Sequence, residues 1–327
     1  MRGAALACAL AVLPLCLPAD DAKPADPLDL RKTYVKGSAG KLEFHLTVDD
    51  TLSRNLPGKN QWAPYRKQQL DWGAKLSWSF KKSSEKTVVL EAVLEDFRGT
   101  WADQLITEDK SQRDLCVTFV PLPAGEKPDK DRKPDAWRAA LEGFSGTRFE
   151  IELGQNGGVS HVSGLGAATA KRFEKLLADK ATKALAKELS AWLSDEGWAG
   201  ILDALFLPSA LPKVKRKYAL PWTLDLGGMP LPAVSASFRV ERKEAEASVE
   251  GGFEEGKVDW QKPIPDISPG YHNLGTEQKG VLKAVYGPAG LREASADFTL
   301  RDGWDFRGST ATHFDHVAKV SLSAKAP

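Results

Sequence analysis

The stretch Leu70-Asp-Trp-Gly-Ala-Lys-Leu-Ser-Trp-Ser-Phe80 decides the fold of this chain. Apolar side chains occupy every second position, and the positions between them carry Asp, Gly, Lys or Ser. Because successive side chains of a strand point to opposite faces, this alternation predicts a strand with one dry and one wet face. Parallel strands are buried on both faces and read as continuous apolar runs, so the pattern indicates an antiparallel sheet.

The same period of two recurs along most of the chain. It is found at Leu42–Val48, Val88–Phe97, Asp114–Val120, Arg148–Leu153, Val159–Ser163, Val234–Glu241, Ala245–Gly251, Val281–Tyr286, Glu293–Arg301 and Thr310–Ser323. The segments Gly154–Gly158 and Gly287–Gly290 carry hairpin chemistry. Long twisted strands tend to curl, so we expect a strongly curved sheet or half-barrel.

One segment, Ala167–Leu193, has the period of a helix instead. Its apolar residues recur at steps of three and four, at Ala170, Phe173, Leu177, Ala181, Leu185, Leu189 and Trp192. This spacing predicts one long amphipathic helix whose apolar stripe packs on the dry face of the sheet. Shorter helices are expected at Trp198–Leu207 and near Trp137–Leu141. The predicted fold class is α+β, mainly antiparallel β.

The order of these elements predicts one β-rich domain over residues 37–327. Two β subdomains, 37–165 and 213–327, joined by the helix, are the alternative. Residues 20–36 are rich in Pro, Asp and Lys and are expected to form a flexible leader. Loops are expected at Pro121–Asp135, Pro208–Pro221 and Glu254–Lys279.

The N-terminus has the pattern of a signal peptide. Arg2 precedes an apolar run from Ala4 to Leu17, and Pro18-Ala19 then leads into Asp20. The run is shorter than the ~20 residues that a membrane-spanning anchor needs. We therefore expect cleavage near Ala19 and export to the periplasm or the extracellular space. No later stretch is predicted to be a transmembrane anchor.

Composition narrows the classes of partner. The chain of 327 residues has 45 basic and 44 acidic side chains, and removal of Arg2 with the signal leaves equal numbers. A balanced chain has no long-range field that attracts nucleic acid, so that class is excluded. Cys116 is the one cysteine outside the signal segment, and we interpret it as a half-buried packing residue.

Residues whose side chains could act in catalysis or bind a metal ion are scattered along the sequence. His313 and His316 are three apart on a predicted strand, so their rings point to opposite faces and cannot share a metal ion. We expect His316 to be packed and His313 to lie at the surface. Gly164–Ala170 opens a helix but lacks the setting of a dinucleotide site. The sequence therefore predicts no catalytic residue, no metal site and no cofactor.

The layout resembles that of lipoprotein-carrier half-barrels, in which a curved antiparallel sheet wraps helices around an apolar ligand. Residues Leu28–Gly37 are also similar to the opening segment of a group of exported bacterial proteins. The first resemblance implies a non-catalytic protein that binds a lipid, another apolar molecule or a lipidated partner between helix and sheet. The expected lining is Trp72, Trp78, Phe80, Phe173, Leu177, Leu185 and Trp192. A protein-interaction module of the cell envelope and an exported hydrolase are the alternatives.

Overall fold

The structure is a computed structural model that describes residues 34–55, 62–107, 110–120, 135–154, 158–206, 213–216, 234–243, 246–262, 270–307 and 311–327. The predicted signal peptide and most of the leader lie outside these ranges. So do most of the predicted loops Pro121–Asp135 and Pro208–Pro221.

Twelve strands make up the described sheet. They are β1 (Ala39–Asn55), β2 (Trp62–Ser83), β3 (Thr87–Thr107), β4 (Lys110–Phe119), β5 (Thr147–Gly154), β6 (Val159–Ser163), β7 (Lys213–Arg216), β8 (Val234–Lys243), β9 (Glu246–Gly256), β10 (Gly270–Gly287), β11 (Gly290–Arg307) and β12 (Ala311–Lys325). The strand order is β6-β5-β3-β2-β1-β12-β11-β10-β9-β8-β7. Strand β4 lies outside this order and pairs with the C-terminal part of β3. All pairings are antiparallel, which confirms the predicted fold class.

Alternation in the sequence becomes alternation in burial. On β2, Leu70, Trp72, Ala74, Leu76 and Trp78 are buried, and the residues between them are exposed or half-buried. We call the face that carries these buried residues the inner face, and the opposite one the outer face. The predicted hairpin at Gly287–Gly290 joins β10 to β11.

Irregular positions bend the long strands. The pairing of β2 with β3 shifts register after Gly73, and that of β10 with β11 shifts between Asn273 and Gly275. Gly99 and Gly275 have φ values of 152° and 134°, which side-chain-bearing residues rarely adopt. Bulges of this kind increase local twist and bend a strand, which gives the sheet its curvature.

Four helices are described: α1 (Ala136–Glu142), α2 (Leu165–Ala178), α3 (Lys183–Trp192) and α4 (Asp195–Leu205). The prediction of one continuous helix over 167–193 needs correction, because α2 and α3 are separate. Asp179 leaves the helical conformation at ψ 124°, and its side chain accepts a hydrogen bond from the Ala181 N–H at 3.0 Å. The Thr182 hydroxyl donates to the Leu176 carbonyl at 2.7 Å, so both side chains satisfy backbone groups at the break.

The other helix boundaries follow their caps. Asp135 accepts a hydrogen bond from the Trp137 N–H at the start of α1, and Ser194 accepts one from the Gly197 N–H at the start of α4. Helix α4 therefore begins before Trp198, three residues earlier than its apolar pattern predicts. No helix within the described residues combines the length and apolar character needed to cross a membrane.

The helices lie on the inner face of the sheet. Helix α4 contacts β6, β10, β11 and β12, α2 contacts β5, and α1 contacts β4. The Trp198 ring on α4 lies 5.3 Å from the Phe44 ring and 5.8 Å from the Phe149 ring, measured between centroids. The predicted helical stripe is confirmed in part: Phe173, Leu185, Leu189 and Trp192 are buried in one apolar cluster with the inner face and Leu177 packs against it, whereas Ala170 and Ala181 are exposed.

Three further expectations are corrected. Tyr34, within the predicted flexible leader, is 1% exposed, and its hydroxyl accepts a hydrogen bond from the Leu291 N–H at 3.0 Å. Cys116 is exposed on the outer face of β4, because it lies at one of the alternate positions of this strand whose side chains point to solvent. The predicted loop Glu254–Lys279 contains the end of β9 and the first ten residues of β10.

Candidate functional site between the helices and the sheet

The seven residues predicted to line a ligand site all belong to one continuous apolar cluster or pack against it. Trp72, Phe173 and Trp192 are 0% exposed, and Trp78 and Leu185 are 5% exposed. Phe80 and Leu177 are half-buried and pack against the same continuous apolar cluster. The structure thus brings all seven into one layer between helices and inner face, which we call the interior. Their role toward a ligand stays a prediction.

A chain of aromatic rings crosses the interior from sheet to helix. Centroid distances are 5.3 Å between Trp72 and Phe97, 5.9 Å between Phe97 and Phe144, and 6.5 Å between Phe144 and Phe173. Phe119 on β4 lies 5.0 Å from Phe97. Contacts at these separations stabilise an aromatic cluster beyond the burial of its area.

Sequence patterns did not single out Phe97, Phe144 or Trp198 as lining residues. Phe97 follows Asp96, whose φ of 54° interrupts the alternation of β3. Phe144 lies in the turn between α1 and β5, where periodicity gives no information. Trp198 was placed on a helix but not on a particular face of it.

Three tryptophans of the interior have indole N–H groups without a partner. The Nε1 atoms of Trp72, Trp192 and Trp198 are fully buried and have no hydrogen-bond partner among the described residues. A buried donor without an acceptor costs about 1–3 kcal/mol. The interior is therefore lined mainly by apolar side chains but also contains hydrogen-bond donors from both layers. Trp72 belongs to the sheet, and Trp192 and Trp198 belong to the helices.

A buried histidine between two carboxylates lies at one end of the interior. His316 on β12 is 2% exposed, and its Nε2 lies 2.7 Å from Asp50 Oδ1 on β1. Its Nδ1 lies 3.5 Å from Asp302 Oδ2 on β11. Burial alone would lower the pKa of His316, but hydrogen bonds and the negative charges of Asp302 and Asp50 raise it to about 9. The imidazole is therefore protonated at neutral pH.

A second polar group joins helix α3 to the sheet. Arg66 donates from Nε to Asp103 Oδ1 at 2.8 Å and from Nη2 to Glu188 Oε2 at 2.6 Å. The Gln68 amide donates to the same two carboxylates at 2.8 Å and 3.0 Å. Because Glu188 belongs to α3 and the other residues to β2 and β3, this network fixes the helix over the sheet.

These two groups form one polar band across the inner face. Asp103, Gln68 and Asp50 are successive partners on β3, β2 and β1, and Asp302 pairs with His316 on the adjoining row. The polar band comprises Asp50, Arg66, Gln68, Asp103, Glu188, Asp302 and His316. It ends the apolar interior toward one end of the strands. The sequence carries a signal for this band, because Asp50, Gln68, Asp103 and His316 occupy positions where the alternation predicts buried apolar side chains.

The two histidines of β12 lie on opposite faces of the sheet. His316 is packed, as expected, and His313 has a side chain 35% exposed beside Asp305 on the outer face. Within the described ranges, no group of three or more His, Cys, Asp or Glu side chains is arranged to hold a metal ion.

The outer face carries a shallow polar groove. A depression of 620 Å³ is lined by His45, Asp71, Arg98, Thr118 and Val120, among others. His45 Nε2 lies 2.7 Å from Asp71 Oδ1, with both side chains more than half exposed. A neighbouring depression of 440 Å³ contains Cys116.

Comparisons with known proteins do not identify the chain. The sequence matches no protein-family profile and no curated protein. A structure of lipovitellin with its lipid–protein interactions aligns with 90% of this chain and 25% of its own, at 8% identity and a TM-score of 0.39. An outer membrane channel from Pseudomonas putida F1 aligns over 90% and 99% at 8% identity, with a TM-score of 0.21.

The OccK7 structure from Pseudomonas aeruginosa aligns over 89% of this chain and 100% of its own at 7% identity, with a TM-score of 0.22. The chain spans a quarter of the length of the lipovitellin chain that it matches. TM-scores this low support no conclusion about fold or function, and the resemblance to lipoprotein carriers stays a prediction.

Proposed function

We propose that this protein binds the acyl chain of a lipid, or of a lipidated partner, in the interior between helices α1–α4 and the inner face of the sheet. The observation that carries the proposal is the apolar surface of the inner face on β8 and β9, where Val240 and Phe253 are half-buried rather than buried. Helix α4 contacts the neighbouring strands β10, β11 and β12. A half-buried apolar surface beside a helix is suited to an apolar ligand.

The inner face remains apolar toward β8–β10. Phe253 on β9 is half-buried, and its ring centroid lies 6.0 Å from that of Phe298 on β11. Val240 on β8 is also half-buried against the same cluster. Gly280 on β10 lies under both phenylalanine rings, since a Cβ there would come within 2.6 Å of Phe253 and 3.0 Å of Phe298. This part of the face is therefore smooth, aromatic and partly exposed.

The predicted export signal sets the context of this proposal. A protein that leaves the cytoplasm and holds an acyl chain away from water is suited to carry lipid or a lipidated protein across an aqueous compartment. The polar band then closes one end of the interior, because charged groups that are already paired do not admit an apolar chain.

Two measurements test the proposal. Native mass spectrometry of the exported protein should show a co-purified lipid, and the delipidated protein should bind the apolar fluorophore N-phenyl-1-naphthylamine. Phe253→Ser should weaken fluorophore binding about tenfold, because it removes an apolar ring from the partly exposed inner face. Val281→Ser is the matched control, since Val281 is 52% exposed on the outer face of the adjacent strand. Lipid-free protein that also fails to bind the fluorophore would contradict the proposal.

The groove on the outer face favours a second candidate, an interaction module of the cell envelope. Val120 is 50% exposed beside the 620 Å³ depression, and charged side chains surround it. An exposed apolar residue with a polar rim is typical of a protein contact. A photo-crosslinking residue at Thr118 should then capture a single envelope protein in cells, and the same residue at Lys319 in the neighbouring depression should not.

A further inference from the structure

Partly exposed aromatic side chains gather at one end of the sheet. Trp62 begins β2, His313 and Phe314 lie near the start of β12, and the turn after β9 carries Trp260. Arg54 of β1 is registered with Phe314, and β1 pairs with β2 on its other side as far as Trp62, so these strand ends are adjacent. We call this group the aromatic rim, and it comprises Trp62, Tyr65, Trp260, His313 and Phe314.

The rings of the aromatic rim contact one another in two groups. The Trp62 and Trp260 centroids lie 5.0 Å apart, and Trp260 stacks on His313 with centroids 6.1 Å apart. The Tyr65 and Phe314 centroids lie 6.3 Å apart. Because His313 and Phe314 are neighbours on one strand, their side chains point to opposite faces. The rim therefore continues around the end of the sheet from the outer to the inner face.

The exposure of the aromatic rim contrasts with the opposite end of the sheet. Trp62 is 43% exposed, and the other four rings of the rim are half-buried. At the opposite end, Tyr34, Trp78 and Tyr286 are at most 5% exposed. Burial of an aromatic ring is favourable, so a group of five rings that stay in contact with water is suited to a partner that removes this water.

Two arginines lie over rings of the aromatic rim. The Arg54 guanidinium is 5.3 Å from the Tyr65 centroid, and that of Arg301 is 5.7 Å from the Trp260 centroid. Arg301 is paired with Asp315 through two hydrogen bonds, at 2.8 Å and 2.9 Å. Arg54 pairs with no carboxylate in the part of the chain that the structure describes. Its guanidinium is therefore available to a phosphate group from outside the protein.

We infer that the aromatic rim binds the surface of a phospholipid membrane, with its rings at the level of the headgroups and Arg54 on a lipid phosphate. Trp and Tyr side chains favour this level because their rings are mostly apolar and carry one polar atom. Strand β9 leads from Phe253, in the partly exposed part of the inner face, to the turn that carries Trp260. The inference goes beyond the proposed function, and vesicles test it without an acyl ligand.

Co-sedimentation of the delipidated mature chain with vesicles of phosphatidylethanolamine and phosphatidylglycerol tests membrane binding. Trp62→Ala should weaken binding about tenfold, because it removes the most exposed ring of the rim. Arg54→Gln should weaken it about fivefold, the effect of one basic side chain near an anionic surface. Arg148→Gln and Val281→Ala are the controls, since both side chains are exposed away from the rim. A parent protein that does not sediment with the vesicles would overturn the inference and leave the proposed function standing.

A polarity-sensitive fluorophore tests which end of the sheet meets the membrane. In a Cys116→Ser background, a label on Pro64→Cys, at an exposed position within the rim, should shift its emission to shorter wavelength when vesicles are added. The same label on Lys41→Cys should not shift, because Lys41 is exposed near the start of β1, at the opposite end. Equal shifts, or a shift at Lys41 alone, would overturn the inference. The expected shifts in a protein that fails to bind N-phenyl-1-naphthylamine would support the rim and contradict the proposed acyl site.

Discussion

His316 Nε2 and Asp50 Oδ1 lie 2.7 Å apart although 266 positions separate the two residues in the sequence. Their strands, β12 and β1, are adjacent at the centre of the sheet. With Asp302 on the other side of the ring, His316 is an imidazolium held between two carboxylates on three neighbouring strands. The ion group therefore links β1, β12 and β11 by charge in addition to their backbone hydrogen bonds.

Stability should depend on the protonation of His316. Its pKa is about 9 in the folded protein and 6.5 as a free side chain, so folding favours the protonated form. The resulting stabilisation is fully present below pH 6.5 and is lost as the pH rises through 9. We expect a loss of at most about 3 kcal/mol, measured by urea unfolding between about pH 6 and pH 10. His316→Gln should remove this part of the pH dependence, and an unchanged slope in the variant would contradict the assignment.

Loss of Arg66 should lower the free energy of unfolding more than loss of the charge of its partner Glu188. Glu188→Gln leaves Arg66 paired with Asp103, so a loss of about 1 kcal/mol is expected. Arg66→Met removes the counter-charge of a fully buried Asp103 and should cost about 3 kcal/mol or more. Glu174→Gln, at an exposed position of α2, is the control for removal of a helical carboxylate. Equal losses for the Glu188 and Arg66 variants in urea unfolding would argue against this order.

Packing of α3 on the sheet can be tested with a pair of neighbouring substitutions. Leu185 is 5% exposed, and Leu185→Asp places an unpaired charge between helix and sheet, which should prevent folding. Ala184→Asp puts the same charge at an exposed position of the same helix and should leave the thermal midpoint within a few degrees. A folded Leu185→Asp protein with an unchanged midpoint, judged by circular dichroism, would refute the packing.

The bend at Gly99 should tolerate no side chain. Its φ is 152°, and a Cβ would lie 2.0 Å from the Asp71 carbonyl oxygen. Gly99→Ala should destabilise the protein by about 2 kcal/mol or more. Gly73 is the matched control on β2, because the nearest atom to a Cβ there is the Phe44 carbonyl oxygen at 3.8 Å. Thermal melts of both variants, with the Gly73→Ala protein close to the parent, would support this explanation of the curvature.

The predicted export can be tested by isolating the protein separately from the cytoplasm, the periplasm and the medium of expressing cells. If the predicted signal is cleaved after Ala19, mass spectrometry of the mature chain should find an N-terminal peptide that begins at Asp20. Replacement of Ala19 by a bulky residue should slow cleavage, because signal sites require small residues. A mature chain that still begins at Met1 would overturn the prediction of export.

Alternation was a reliable guide where the strands are regular, and it failed where glycine and polar residues break the pattern. The run Leu70–Phe80 predicted a strand, and β2 extends beyond it at both ends to Trp62 and Ser83. Residues Gly270–Lys279 were expected to be loop because Gly275 and several polar side chains hide the period. In the structure Gly275 forms a bulge and pairing continues through it.

The helix period could not reveal the break between α2 and α3. Apolar residues keep their three- and four-residue spacing across Asp179–Thr182, so the sequence reads as continuous. The break depends on side chains that bond to nearby backbone groups, which periodicity does not register. Part of the interior could be predicted, because Trp72, Phe173 and Trp192 occupy positions that fit the strand or helix period. Phe97 and Phe144 do not fit either period and were missed.

The pairing of β1 with β12 has a consequence for how the chain reaches its native state. Glu43 is registered with Lys325, so the seam at the middle of the sheet joins residues near opposite ends of the sequence. Loop closure over such a distance is slow, and nascent chains lacking β12 leave β1 with an open edge prone to wrong pairing. Molecules in which β12 has not yet paired with β1 therefore lack the central seam of the sheet, and folding is complete only once these two strands meet.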